Sequence, residues 1–368
     1  MKIDRITLYH LRMRLKSPFT TSFGTTQDRE SILIEAEAEG LQGYGECVAD
    51  RDPGYSYETS KTAWYVLSDF LIPALLNREI EKPQMAPERL RFVRGHPMAK
   101  AGLEMAVWDL FGKLHARSLK SMLGGTLERV KVGVSIGIQE SPEALLRVVA
   151  DYLKQGYRRI KIKIKPGHDV RETRAVRQEH PDLPLQVDAN SAYTLETAQA
   201  LAPLDDLHLL LIEQPLAEDD LWDHHLLQQG LKTPICLDES ILSERHARQA
   251  LDMGACRVIN IKAGRVGGLS EAAAIHGLCR SRGIPVWCGG MLESGVGRAA
   301  NLALASLPGF TLPGDISATD RYYAVDITHE RFILNPDSTI DVPDRPGLGI
   351  TIDRRALENV IVARHSFP

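Results

Sequence analysis

Cysteine is scarce in this chain. The five that occur, Cys47, Cys236, Cys256, Cys279 and Cys288, are odd in number and scattered, with no CxxC pair and no zinc-ligand spacing. A disulfide framework and a zinc ribbon are thereby excluded, and the thiols read as reduced and structural. An excess of one charge is also missing: the formal net charge is −4 and the sequence pI near 6.3. Neither nucleic acid nor an anionic membrane is invited by such a balance, so small molecules are the expected partners. No run approaches the roughly 18 apolar residues of a membrane helix. The opening MKIDRITLYHLRM alternates like a strand and lacks a signal-peptide core, so a cytoplasmic setting is expected. Recognisable phosphate and metalloprotease motifs are absent too. GRVGG at 264–268 lacks both the Walker lysine-serine and dinucleotide spacing, and His224-His225 form no i,i+4 ligand pair with an acid and read as surface groups.

What remains is ordinary core material, 43% hydrophobic and 25% charged, in 368 residues. That length holds an eight-stranded α/β barrel and a smaller second domain. Residues 1–125 read as an α+β domain. IDRITLYHLRM and SILIEAEAEG are strand-like, the second alternating as in a half-exposed antiparallel sheet. SPFTTSFGTT, with Phe19 and Phe23, and ADRDPGYSYET, with Tyr55 and Tyr57, read as loops. KAGLEMAVWDLFGKLHA spaces Leu103, Val107, Leu110, Phe111 and Leu114 as one buried helix face.

From Lys131 the pattern becomes strand, helix, strand, helix. KVGVSIG is followed by SPEALLRVVADYLKQG, whose Ser141, Pro142 and Glu143 supply a cap, a first-turn proline and an acidic first turn. Five apolar segments follow at regular intervals, IKIKIKPG, LQVDAN, LLLIEQP, ICLDES and VINIKAG, then IPVWCGG and TLPGD. Their charged residues Lys163, Asp188, Glu213, Asp238 and Lys262 are 25, 25, 25 and 24 residues apart. A β/α unit takes about 25 residues, so the interval places one charge at the same end of five successive parallel strands. Barrel enzymes keep their chemistry at that end. The spacing therefore predicts a barrel over residues 126–320, with residues 321–368 returning towards the first domain as a strand or hairpin.

YRRIKIKIKPG alternates strictly, which turns Ile160, Ile162 and Ile164 to the helices and Lys161, Lys163 and Lys165 the other way. An exposed edge strand guarded by lysines would read the same. Inside a barrel, an inward ammonium needs a carboxylate partner or must lose its proton. Asp188, Glu213 and Asp238 would converge at the mouth, where like charges require a cation and all-oxygen ligation selects Mg²⁺ or Mn²⁺. Singly, each acid has a plainer use as a helix cap or a loop start. Capping does not require three in register. Lys262, across the ring from Lys163, would face the other side of a bound molecule. Neighbouring cations, Lys161 and the metal for Lys163, Arg265 and the metal for Lys262, would lower the lysines' pKa towards neutrality and free them to act as bases. A metal on a substrate carboxylate with a lysine on each face is an arrangement for removing the α proton.

KIKIKPG, QVDAN, LIEQPL, CLDES and NIKAGRVGG, with SPFTTSFGTT, GYGEC, HPMAKAGLEMAVWDL, IPVWCGGMLESGVGRAAN and LASLPGFTLPGD, resemble the enolase superfamily. Within its muconate-lactonizing subgroup they look like the o-succinylbenzoate synthase / N-succinylamino acid (N-acylamino acid) racemase family, over essentially the whole chain. The resemblance implies an α/β fold, a (β/α)₇β TIM-like barrel under an α+β capping domain, and a homo-oligomer between dimer and octamer. It implies Lys163 and Lys262 as acid/base pair and Asp188, Glu213 and Asp238 as Mg²⁺ ligands, the arrangement known for the superfamily. Lys161 and Asn190 match flanking polar groups, and Ser135, Met291, Phe19, Phe23 and Tyr55 match the substrate pocket for a small carboxylate.

KIKIK holds two KxK matches, 161/163 and 163/165, and the constant interval selects Lys163. Arg265 resembles a feature of the racemase-containing branch, so both synthesis of o-succinylbenzoate for menaquinone and racemisation are expected. Dipeptide epimerases of the subgroup carry Asp-x-Asp where this chain has Asp315-Ile316-Ser317. Dipeptide epimerase, cycloisomerase and Schiff-base aldolase chemistry are the alternatives, and the last leaves the three acids unexplained.

Overall fold

The structure is a computed structural model that describes residues 1–368. Strands β1 (Arg5–Thr20), β2 (Thr25–Ala38) and β3 (Leu41–Cys47) form an antiparallel meander. β1 and β2 continue to Thr20 and from Thr25, so SPFTTSFGTT is a hairpin tip rather than a free loop: Phe19 pairs with Thr26 inside the ladder. The expected half-exposed alternation of β2 does not occur, because Ser31 to Ala36 are all buried. Its outward Glu35 lies under Arg354, 2.7 Å from a guanidinium nitrogen, and accepts the Tyr9 hydroxyl at 3.1 Å. The opposite face is covered by helix Pro97–Leu114.

That helix is buried nearly all round instead of along one stripe, while Leu114, expected inside, is exposed. Glycines permit the close approach. A Cβ on Gly45 would lie 2.0 Å from the Gly102 carbonyl oxygen, and one on Gly43 2.4 Å from that of Ala106. The helix also carries Glu104, 1% exposed, whose carboxylate accepts Ser270 N at 3.1 Å and Trp108 Nε1 at 3.2 Å. Helix Leu269–Ser281 has no side-chain cap of its own, so the capping domain supplies one.

Strand β4 (Arg129–Lys131) precedes the barrel strands β5 (Val134–Ile136), β6 (Ile160–Lys163), β7 (Leu185–Asp188), β8 (Ile212–Glu213), β9 (Ile235–Leu237), β10 (Val258–Ile261) and β11 (Val286–Cys288). These seven are parallel and neighbours in chain order. Residues 310–315 bond to both ends of the series: Asp315 N reaches the Cys288 carbonyl at 2.9 Å, and Gly133 N reaches that of Gly314 at 2.8 Å. TLPGD therefore closes the ring as the eighth strand, giving the (β/α)₇β form. Helix Pro142–Gln155 begins where Ser141 accepts Ala144 N and ends at Gly156, φ 106°. The third connection is a 3₁₀ helix, Thr197–Leu207, with Pro203 inside it to interrupt α-helical bonding.

The tail divides. β12 (Thr339–Asp341) pairs with β4, whereas β13 (Ile361–Phe367) runs antiparallel to β1 and completes the capping sheet. ITHERFILNPDSTIDV thus adds its strand to β4, ahead of the first barrel strand, and a later segment makes the return. His224, expected at the surface, is fully buried: its Nε2 accepts Leu216 N at 3.2 Å and its Nδ1 donates to the Asp220 carbonyl. A neutral imidazole bridging two backbone groups satisfies both at no charge. No helix is long and apolar enough to cross a membrane.

Candidate active site

Strand register assembles the site. Lys163 pairs with Asp188, and Asp188 with Glu213, so three of the five spaced charges lie on one line across β6, β7 and β8. Asp238 and Lys262 follow directly after β9 and β10. Ile160, Ile162 and Ile164 are buried in the barrel core, while Lys161 and Lys163 project inward; Lys165 lies in the following turn, its backbone paired with His168. Pleat alternation accounts for the whole separation.

The inward charges form a dense ion-pair system. Lys161 Nζ stands 2.6 Å from Asp315, 2.7 Å from Glu213 and 3.0 Å from Asp188. Lys163 Nζ donates to Asp188 Oδ2 and Asn190 Oδ1, both at 2.6 Å. Lys262 Nζ donates to Asp238 Oδ2 at 2.6 Å and to the Tyr55 hydroxyl at 3.0 Å; that hydroxyl donates to Asp238 Oδ1 at 3.1 Å. Arg265 also pairs with Asp238 and donates to the carbonyls of Ile241 and Asn260. Asn190 Nδ2 holds Glu239 at 2.8 Å, and Asn260 Nδ2 holds Glu213 at 2.8 Å.

Burial opposes charge at each of these groups, and the neighbours decide the outcome. Lys262 and Lys161 are pulled down by burial, yet both end well above the usual lysine value. For Lys262 the opposing groups are Tyr55, Glu213 and Glu239, and for Lys161 they are Asp315, Glu213 and Asp188. Arg265 alone therefore does not lower Lys262, because the anions around it prevail. Burial would raise Asp188, but Lys163 and Lys161 hold it well below the carboxylate range. Glu213 is raised, by burial and by Asp188. Glu239 is pushed up to about 7 by burial and Asp188.

These directions bear on a metal. Asp188, Glu213 and Asp238 are at most 1% exposed, supply only oxygen, and stand at consecutive strand ends. Burial first, and Asp188 second, raise Glu213 and Glu239, and Glu239 Oε2 is buried with no hydrogen-bond partner, so this oxygen-only set is left short of a compensating cation. A hard divalent cation fits that deficit. The expected convergence of the three acids on one point is not complete: no three such side chains stand grouped as a ready metal cluster. Lys161 draws Asp188 and Glu213 to itself, and Lys262 with Arg265 draws Asp238 away.

In front of the carboxylates opens a cavity of ≈370 Å³. From the capping domain it is lined by Phe19, Phe23 and Tyr55, and from the barrel by Ser135, Lys161, Lys163, Asn190, Lys262 and Met291. The two capping loops touch, since a Cβ on Gly54 would lie 2.5 Å from the Phe23 ring. Ser22 Oγ donates to the Asn190 carbonyl at 3.0 Å and fastens the hairpin tip to the barrel. Ser135 Oγ is buried without a partner beside the cavity, a donor in reserve for a bound molecule. All the anticipated side chains thus meet at one mouth, with the three acids behind the lysines and Arg265 behind Lys262.

Sequence reasoning gave no site role to Asp315, which it had named only by comparison, nor to Glu239, Asn260 or Arg159. Arg159, 1% exposed, lies 2.7 Å from Asp315 and donates to the carbonyls of Pro313 and Gly314, fastening the eighth strand. The signals were slight: Asp315 ends the TLPGD strand, and Glu239 follows a residue already singled out.

A (β/α)₇β barrel whose mouth holds two lysines and a set of buried carboxylates beneath a capping sheet defines a class, the capped barrel enzymes. Comparison with known proteins is specific. Residues 4–124 match the mandelate racemase / muconate lactonizing enzyme N-terminal domain, and residues 144–356 match the enolase C-terminal domain-like family. The chain belongs to the enolase superfamily. It is 55% identical over 364 residues to an o-succinylbenzoate synthase of Geobacillus kaustophilus, covering 97% of this chain and 96% of that one. It is 50% identical over 366 residues to an N-succinylamino acid racemase of an Amycolatopsis species, covering 99% of each. A crystal structure of an enolase-superfamily member from Listeria innocua, 44% identical, superposes with a TM-score of 0.96 over 100% of this chain and 99% of that one.

Proposed function

We propose that the chain removes the proton α to a substrate carboxylate and uses one site for two outcomes, o-succinylbenzoate synthesis in the menaquinone route and racemisation of N-succinyl or other N-acyl amino acids. The observation that carries this reading is the placement of Lys163 and Lys262 in one cavity, each ammonium 2.6 Å from its own buried aspartate. Asp188, Glu213 and Asp238 would hold Mg²⁺ or Mn²⁺, which when bound supplies positive charge for a substrate carboxylate and its developing enediolate.

In racemisation one lysine takes the proton as the α C–H bond breaks, and the other delivers a proton to the opposite face of the same carbon. The roles depend on the enantiomer bound: the lysine facing the α hydrogen takes it, and the one on the opposite face supplies the proton. In synthesis Lys163 takes the α proton, and the hydroxyl on the adjacent carbon departs with the electrons of its C–O bond, leaving as water once protonated. Asp315 is already engaged by Lys161 and Arg159, so it offers no free anion to a substrate ammonium. An acylated nitrogen suits the cavity better than a free amine.

The test compares the two rates side by side, with the synthase substrate and an N-succinyl amino acid in D₂O. Uptake of deuterium at the α carbon with Mg²⁺, and its loss on chelation, is the expected result. A substrate adduct trapped by borohydride, with activity surviving EDTA, would replace this reading by a Schiff-base one. A homo-oligomer in the cytoplasm belongs to the same proposal, and sedimentation velocity measures its size.

A further inference from the structure

The loop after β11 brings Met291 to the cavity, and several of its backbone groups are held by side chains, some of them from the capping domain. Met291 N donates to Glu293 Oε2 at 2.8 Å, and the Met291 carbonyl accepts Arg29 Nε at 3.3 Å. The Leu292 carbonyl accepts the Tyr323 hydroxyl at 2.6 Å. Ser294 gives its Oγ–H to Glu46 Oε2 at 2.6 Å and its N–H to the same carboxylate at 3.1 Å, and Gly297 N adds a third donor at 3.0 Å. Glu46 lies on β3 and Arg29 on β2, so the capping sheet reaches across the domain boundary to hold a barrel loop. Both side chains are at most 4% exposed. The loop needs holding, because Leu292 sits at φ 59°, a conformation costly for a branched residue.

We infer that Glu46, assisted by Arg29, is a positioning residue that sets substrate selectivity by fixing Met291 as a wall of the cavity. This rests on the proposed reading of the cavity as the substrate pocket. Glu46 touches no reacting atom. Its carboxyl group sits at the first turn of helix Gly295–Ala305, where three N–H or O–H donors hold it. Met291 itself packs against the apolar cluster of the capping domain, so its wall position depends on both domains staying in register.

The experiment compares Glu46→Ala, Glu46→Gln and Ser294→Ala with the unmodified chain, using two readouts. In hydrogen-deuterium exchange of the full chain, peptides covering residues 289–297 should take up deuterium about tenfold faster in Glu46→Ala and less so in Glu46→Gln, which keeps one acceptor. In kinetics, the ratio of kcat/KM for large against small N-succinyl amino acid side chains should change about tenfold through KM, with kcat for the small substrate within about threefold. Glu46→Ala should add no further selectivity change in a Met291→Ala background. Ser294→Ala, which deletes one hydroxyl, carries the same test if Glu46→Ala does not fold. Unchanged loop exchange, or an equal loss of kcat for every side chain, overturns the inference. If the unmodified chain exchanges no α proton at all, the functional reading fails while loop exchange still decides the positioning role.

Discussion

The Lys262 ammonium is shared between Asp238, 2.6 Å away on the barrel, and the Tyr55 hydroxyl, 3.0 Å away on the capping domain. The capping loop therefore completes the surroundings of a barrel lysine, and loop position and proton transfer are linked.

Removing only that hydroxyl isolates the link. Tyr55→Phe keeps the ring but deletes the donor to Asp238 and the acceptor from Lys262. A hydrogen bond to a charged group contributes about 1.5–3 kcal/mol, so kcat/KM should fall roughly 10- to 100-fold. Steady-state kinetics on either substrate, with the variant verified as folded, checks it.

Asp315 gives a stability prediction. Asp315→Asn leaves Arg159, 1% exposed, and Lys161, 2% exposed, short of an anion. Breaking a buried pair by removing one partner costs about 3–5 kcal/mol, and urea unfolding should show a loss of that order. The expectation fails if the midpoint of unfolding is unmoved.

Glu104 gives a pH dependence. Burial is the main cause of its rise from 4.5 to about 7, against the hydrogen bonds from Ser270 and Trp108. The folded chain thus retains a proton between about pH 4.5 and 7 that the unfolded chain has released. Stability falls as pH rises through that window, and the loss is complete above about 7. Glu104→Gln removes this contribution. The difference in unfolding free energy between variant and parent should move in the variant's favour from pH 5 to pH 8, by on the order of a few kcal/mol. A difference independent of pH would show that Glu104 ionises normally.

The distribution of successes along the sequence has a physical basis. Lys163, Asp188, Glu213, Asp238 and Lys262 were legible because parallel β/α units repeat at nearly constant length and charge is costly at the end of an apolar strand. Asp315 was not, since it lies 53 residues beyond Lys262 and the intervening β11 is followed by Gly289-Gly290, without a charge. Arg159 shares the inward face of Lys161, but its partner became visible only when ring closure brought Asp315 over it. His224 shows the converse error, because local polarity cannot reveal that two backbone groups will satisfy a buried ring. The nearly complete burial of helix Pro97–Leu114 depended on Gly43, Gly45 and Gly102, whose small size matters only once sheet and helix meet. Alternation likewise misjudged β2, whose outer face is covered by Arg354 from the far end of the chain.

The central claim is that Lys163 and Lys262 work from opposite sides of one α carbon. The most direct measurement is racemisation of an N-succinyl amino acid with Mg²⁺ present, in Lys163→Ala and in Lys262→Ala, each verified as folded. The account predicts that each substitution alone abolishes racemisation, because one face then lacks its proton carrier. Racemisation at the parent rate in either variant would contradict it.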